Sequence, residues 1–141
     1  MSDWLDRMVG EWTLEGRSVP DDPAQVRTGV ERVSRHGAWI VIEGEDYRFQ
    51  LATDPATGRV TGDFVHWEHP QLWTYDGAVE ANGALHLYSR GPDMTGEGGE
   101  TDYVDVFEIV SPEERRSVGR IREADGSWRD FSRTTYRRSE P

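Results

Sequence analysis

The chain has 141 residues, with 27 Asp and Glu against 16 basic side chains and a net charge of −11. So acidic a surface repels phosphate backbones and anionic headgroups, so neither nucleic acid nor a membrane surface is an expected partner. No cysteine is present, which excludes a disulfide framework, a thiolate nucleophile and a thiolate-ligated metal.

The length suits a single domain over 1–141. The opening residues carry no basic n-region or long apolar core. No apolar run reaches the roughly 18 residues of a spanning helix, so a cytoplasmic protein is expected.

Residues 1–9 read as a short helical lead-in, with Trp4, Leu5, Met8 and Val9 on one apolar face and Ser2 or Asp3 as N-cap. It is too short to stand alone and must lean on the body of the protein. Gly10-x-Trp12 opens a first strand, about Glu11 to Ser18, with Trp12, Leu14 and Gly16 inward and Trp12 plugging a closed end. The Pro20 to Pro23 run breaks it. A second strand, Gln25 to Ser34, alternates Val26, Thr28 and Val30 with Arg27, Glu31 and Val33. Ala38 to Glu45 is apolar on both faces at first, and Tyr47, Phe49 and Leu51 then alternate with Arg48 and Gln50.

After the Asp54-Pro55 to Gly58 turn, Arg59 to Trp67 sets Val60, Gly62, Phe64 and His66 on one face, and Glu68-His69-Pro70 ends it. Leu72 to Glu80 carries Trp73 and Tyr75, and Asn82-Gly83 hairpins it to Ala84 through Arg90. Gly91 to Glu100 is long for a hairpin connection and reads as either a flexible lid or simple disorder. Thr101 to Val110 sets Tyr103, Asp105, Phe107 and Ile109 on one face, and Ser111 to Glu114 turns the chain. Ser117 to Glu123 and Trp128 to Arg137 form the last hairpin.

Strands at this spacing, joined by successive hairpins, predict an all-β fold: one antiparallel up-and-down barrel of about 8–10 strands over 11–137, with the short helix at one end. An unpaired strand edge, if the barrel stays open, offers a route to a homodimer.

A barrel of that size encloses more volume than its own side chains fill. Trp39, Tyr47, Phe49, Phe64, Trp73, Tyr75, Tyr103 and Phe107 are therefore predicted to wall a cavity for a small apolar or aromatic molecule. His66, Tyr103 and an arginine are the expected polar anchors. Asp105, between Tyr103 and Phe107, is a candidate buried carboxylate with Arg120 or Arg122 as partner.

His66 and Asp105 are the candidate acid–base groups, should the cavity belong to a cofactor-independent cyclase, isomerase or lyase. His66 and His69 stand three apart in an extended segment, which points them to opposite faces, so no metal site is expected. Gly96-x-Gly98-Gly99 has no following Lys or helix and is flanked by acids, so it is not a phosphate loop. No cofactor is expected.

Four stretches carry a family resemblance: Gly10-x-Trp12, Asp54-Pro55-x-x-Gly58, Leu72-Trp73-x-Tyr75-x-Gly77 and Thr135-Tyr136-Arg137-Arg138. Met8 through Trp12 resembles the opening of calycins, the lipocalin and fatty-acid-binding superfamily. The whole chain resembles small bacterial lipocalin-like proteins grouped as a domain of unknown function. The resemblance implies a closed or nearly closed barrel with an internal pocket, and no reaction. The nitrobindin-like haem calycins share the G-x-W opening and bind haem through a late histidine. Here His36, His66, His69 and His86 all come early, which argues against haem.

Overall fold

A computed structural model describes residues 3–94 and 98–139. Among these residues ten strands follow one another: β1 (Gly10–Ser18), β2 (Arg27–His36), β3 (Trp39–Glu43), β4 (Tyr47–Thr53), β5 (Arg59–His66), β6 (His69–Val79), β7 (Leu85–Pro92), β8 (Glu100–Ser111), β9 (Glu114–Arg122) and β10 (Trp128–Arg138). Each pairs antiparallel with the next, and β1 pairs with both β2 and β10, closing the barrel. Leu14 thus stands opposite Gly29 on one side and Tyr136 on the other. Closure leaves no free edge among the described strands, which removes the edge-to-edge route to a dimer.

Three boundaries differ from the sequence reading. Pro23–Gln25 is a 3-10 turn capped by the Asp22 carboxylate rather than the start of β2. Trp67 and Glu68 alone turn β5 into β6, and Pro70 sits inside β6, whose first residues do not need its missing N–H. Pro112 and Glu113 likewise suffice between β8 and β9, so β9 begins before Ser117 and carries Arg115 into the barrel.

The lead-in is a 3-10 helix over Trp4–Met8, capped by Asp3, whose carboxylate accepts the Leu5 N–H at 3.2 Å. It is tied down from several sides. Arg35 of β2 pairs with Asp3 and Asp6, Thr53 of β4 donates to Asp3 at 2.9 Å, and the Trp4 indole donates to the Gly83 carbonyl at 3.0 Å. Leu5, Met8, Trp12, Ile40, Ile42, Leu51, Leu85 and Leu87 have no exposed surface and fill this half of the interior.

The Trp12 indole donates to the Met8 carbonyl at 2.8 Å. Arg138 lies over its ring at 4.2 Å and donates to the Val9 and Pro112 carbonyls, both at 2.8 Å. First strand, last strand and lead-in therefore meet on one side chain. No helix among the described residues is long and apolar enough to cross a membrane.

Trp12→Ala is expected to cost about 3–5 kcal/mol, because the plug cannot be refilled by neighbours already packed. Denaturant unfolding monitored by circular dichroism measures it.

Candidate functional site

At the end away from the lead-in, the barrel holds a cavity of about 420 Å³. Its two sides are built from different residue types. The inward positions of β4, β5, β6 and β8 supply Tyr47, Phe49, Phe64, Trp73, Tyr75, Tyr103 and Phe107. Phe49 is the centre of this wall, with Phe64 at 5.8 Å, Phe107 at 6.2 Å and Tyr75 at 6.5 Å between ring centroids. The inward positions of β9 and β10 supply Ser117, Gly119, Ser132 and Thr134. Those small residues leave the space that the rings face.

The floor is a buried ion pair. Glu31 of β2 has no exposed surface, Arg115 of β9 is 1% exposed, and the two are bonded to each other. Tyr47 donates to the second oxygen of Glu31. The Arg115 guanidinium carbon lies 3.8 Å from the Tyr136 ring centre and 4.8 Å from that of Trp12. Nε and Nη1 of Arg115 have no hydrogen-bond partner among the described residues, so these rings are their compensation. Burial, reinforced by the Glu31 carboxylate, pushes the Tyr47 phenol up. Burial likewise raises Tyr136, to about 12, so both hydroxyls remain donors at neutral pH.

Asp105 of β8 has no such compensation. Tyr75 donates to its Oδ2 at 3.0 Å. Burial pushes the carboxyl up to about 6, opposed only by the Tyr75 hydrogen bond. Half-buried by surface, Asp105 lies deep in the barrel, and the surface it keeps belongs to the cavity lining.

The sequence model of a family described as "Protein of unknown function (DUF1579)" matches residues 1–138. The chain belongs to that family. No curated protein matches it.

In this DUF1579 barrel Tyr47, Phe49, Phe64, His66, Trp73, Tyr75, Tyr103 and Asp105 all line the cavity. Two expected residues do not. Trp39 sits at the start of β3, 36% exposed, because Ile40 and Ile42 take the inward phase of that strand. Arg120 pairs across the outer face with Val104, while Gly119 is the residue opposite Asp105. Its Nε donates to Asp130 at 2.9 Å, so it is no partner for Asp105.

Two others line the cavity with their polar atoms already engaged. The Tyr103 hydroxyl donates to the Pro92 carbonyl at 2.7 Å and accepts the Met94 N–H at 2.9 Å, which ties down the start of the 91–100 connection. Thr95, Gly96 and Glu97 of that connection lie outside the described residues. His66 Nδ1 accepts the Glu68 N–H at 3.2 Å, so its proton sits on Nε2, which faces Asp46 at 3.2 Å. With both nitrogens engaged at the mouth, His66 is poorly placed to take a substrate proton.

The two-residue turn brings His66 beside His69, rings 4.9 Å apart, rather than to opposite faces. Among the described residues no group of three or more His, Asp or Glu is disposed to hold a metal. The sequence reading missed Arg115 and the burial of Glu31. The available signal was Glu31 sharing the face of Val33, two residues on.

Breaking the floor pair from one side is expected to be costly. Arg115→Met leaves Glu31 buried and unpaired, a loss of about 3–5 kcal/mol, and the double variant with Glu31→Gln should recover most of it. A denaturant double-mutant cycle reads both.

Asp105 gives a pH dependence of defined sign. Its folded value of about 6 lies above the ordinary 3.8, so the folded state holds the proton more tightly. That contribution is present below the unfolded value and is lost as pH rises through about 6. Asp105→Asn removes the loss, so its stability advantage over the wild type should grow between about pH 4 and 7, to at most about 3 kcal/mol. Parallel unfolding curves across that range test it.

Proposed function

We propose that this chain is a lipocalin-like barrel of the calycin type that binds an apolar or aromatic small molecule in its cavity. The observation that carries the reading is the void itself: about 420 Å³ faced by aromatic rings and left open by Ser117, Gly119, Ser132 and Thr134. Pockets of this kind pair broad apolar walls with a few placed polar groups, here the Asp105 carboxyl and the Tyr75 hydroxyl bonded to it. The indole–guanidinium contact between Trp12 and Arg138 joins two of the motifs on which the calycin resemblance rests. The net charge of −11 supports a small molecule, and not nucleic acid or a membrane surface, as the partner. Haem is not proposed.

One observation favours a second reading, cofactor-independent acid–base catalysis in the same cavity. The Asp105 carboxyl, pushed up to about 6, is suited to exchanging a proton near neutral pH. In that case Asp105→Asn abolishes turnover while leaving ligand binding largely intact.

The binding reading predicts that the neutral fluorophore N-phenyl-1-naphthylamine enters the barrel with one-to-one stoichiometry and raises the melting temperature. Ser89→Phe, which puts a ring into the cavity from β7, should abolish that fluorescence gain while the protein remains folded. A gain unchanged in Ser89→Phe places the dye elsewhere and overturns the reading.

A further inference from the structure

We propose that the cavity's ligand carries a protonated amine and that this amine sits on Asp105. The assignment rests on reading the cavity as a small-molecule site and adds the chemistry of the molecule's polar end.

It starts from what Asp105 lacks. Tyr75 occupies Oδ2, and Oδ1 receives no hydrogen bond among the described residues. The neighbouring strands offer nothing, since β7 places Leu87 and β9 places Gly119 directly opposite. Gly119 brings no polar group to the carboxyl, and Asp105 itself lines the cavity.

The other charged and titratable groups facing the lumen are already committed or remote in kind. Glu31 of β2 is held by Arg115 and by Tyr47 of β4. Tyr136 of β10 is a neutral phenol near Ser117. His66 of β5 is bound to Asp46 at the mouth, where His69 of β6 stands beside it. Arg27, at the start of β2, lines the cavity from an exposed position and forms no ion pair with Asp105. Among the described residues no cation acts on Asp105.

An ionised Asp105 is therefore an anion without a counterion in a chamber of aromatic rings. Ring faces are electron-rich, so they disfavour a second anion and attract a cation. An ammonium answers both features: it gives Oδ1 a charge-assisted hydrogen bond and places its remaining surface against the wall around Phe49. A neutral ligand leaves the carboxyl protonated, and a carboxylate ligand adds like charge.

Titration calorimetry of the whole chain with 2-phenylethylamine, 2-phenylethanol and 3-phenylpropanoate tests this, because the three probes share a ring and differ in the polar end. At about pH 7.5 the amine is expected to bind at least about tenfold more tightly than the alcohol. Its affinity should fall about tenfold per unit below about pH 6, where the carboxyl must first give up a proton. Asp105→Asn, nearly identical in shape, should bring amine and alcohol to the same affinity. Equal affinities in the wild type, an amine preference that survives in Asp105→Asn, or a preference for the carboxylate each overturns the assignment. If the alcohol and N-phenyl-1-naphthylamine bind while the amine gains nothing, the pocket stands and only the amine falls. If no probe binds, both fall.

Discussion

The Glu31–Arg115 pair is the constraint on which the interior depends. Two charges with essentially no exposed surface each carry a desolvation cost of several kcal/mol, recovered only through close contact and further hydrogen bonds. The barrel supplies these from four strands: Glu31 from β2, Arg115 from β9, the Tyr47 hydroxyl from β4 and the Tyr136 ring from β10. The same pair divides the lumen. Below it, Trp12 and the aliphatic residues under the 3-10 lead-in form a packed core. Above it, Glu31, Tyr47 and Tyr136 become a cavity floor. A purely aliphatic floor would fill the barrel equally well, so what the pair adds is position: it pins opposite walls at one depth.

The two inward carboxyls then show how environment separates identical chemistry. Glu31 meets a guanidinium and a phenol, so its charge is matched where it stands. Asp105 meets one phenol and open space, so burial acts on it almost unopposed. Register produces this difference. Gly119 holds the position where a side chain from β9 could reach Asp105, and Arg120, one residue on, is thereby sent to the outer face and to Asp130. One residue of phase separates a structural ion pair from a carboxyl left available to whatever occupies the cavity.

Legibility in the sequence followed the same line. Fold class, closure by successive hairpins, the Trp12 plug and most of the aromatic wall were readable, because period-two alternation and turn residues are local signals. Where alternation failed, so did facing. The run Trp39-Ile40-Val41-Ile42 has no polar residue to mark the outer face, and Trp39 proved to be outside. Turns were drawn too wide at Glu68-His69-Pro70, where Pro70 was taken to end a strand that Trp67 and Glu68 had already ended, and at Ser111 to Glu114, where only Pro112 and Glu113 turn and β9 starts at Glu114 rather than Ser117. The second of these hid Arg115, and with it the partner that makes a buried Glu31 tolerable. A charge deep in a barrel is legible only when both members of the pair have been placed, and they lie 84 residues apart.

The asymmetry of the cavity walls gives the last step. Ten strands set a radius that side chains of ordinary size do not fill, yet the closed half is filled, by leucine, isoleucine and tryptophan. In the open half β9 and β10 contribute Ser117, Gly119, Ser132 and Thr134 beside Phe131 and Tyr136, facing the phenylalanine and tyrosine rings of β4, β5, β6 and β8. Larger apolar residues at Ser117, Ser132 and Thr134 would bury more area, at about 25 cal/mol per Å². These small positions thus forgo burial available on the same backbone, while the opposite wall keeps rings with one face unpacked. Packing alone gives a barrel no reason to combine the two.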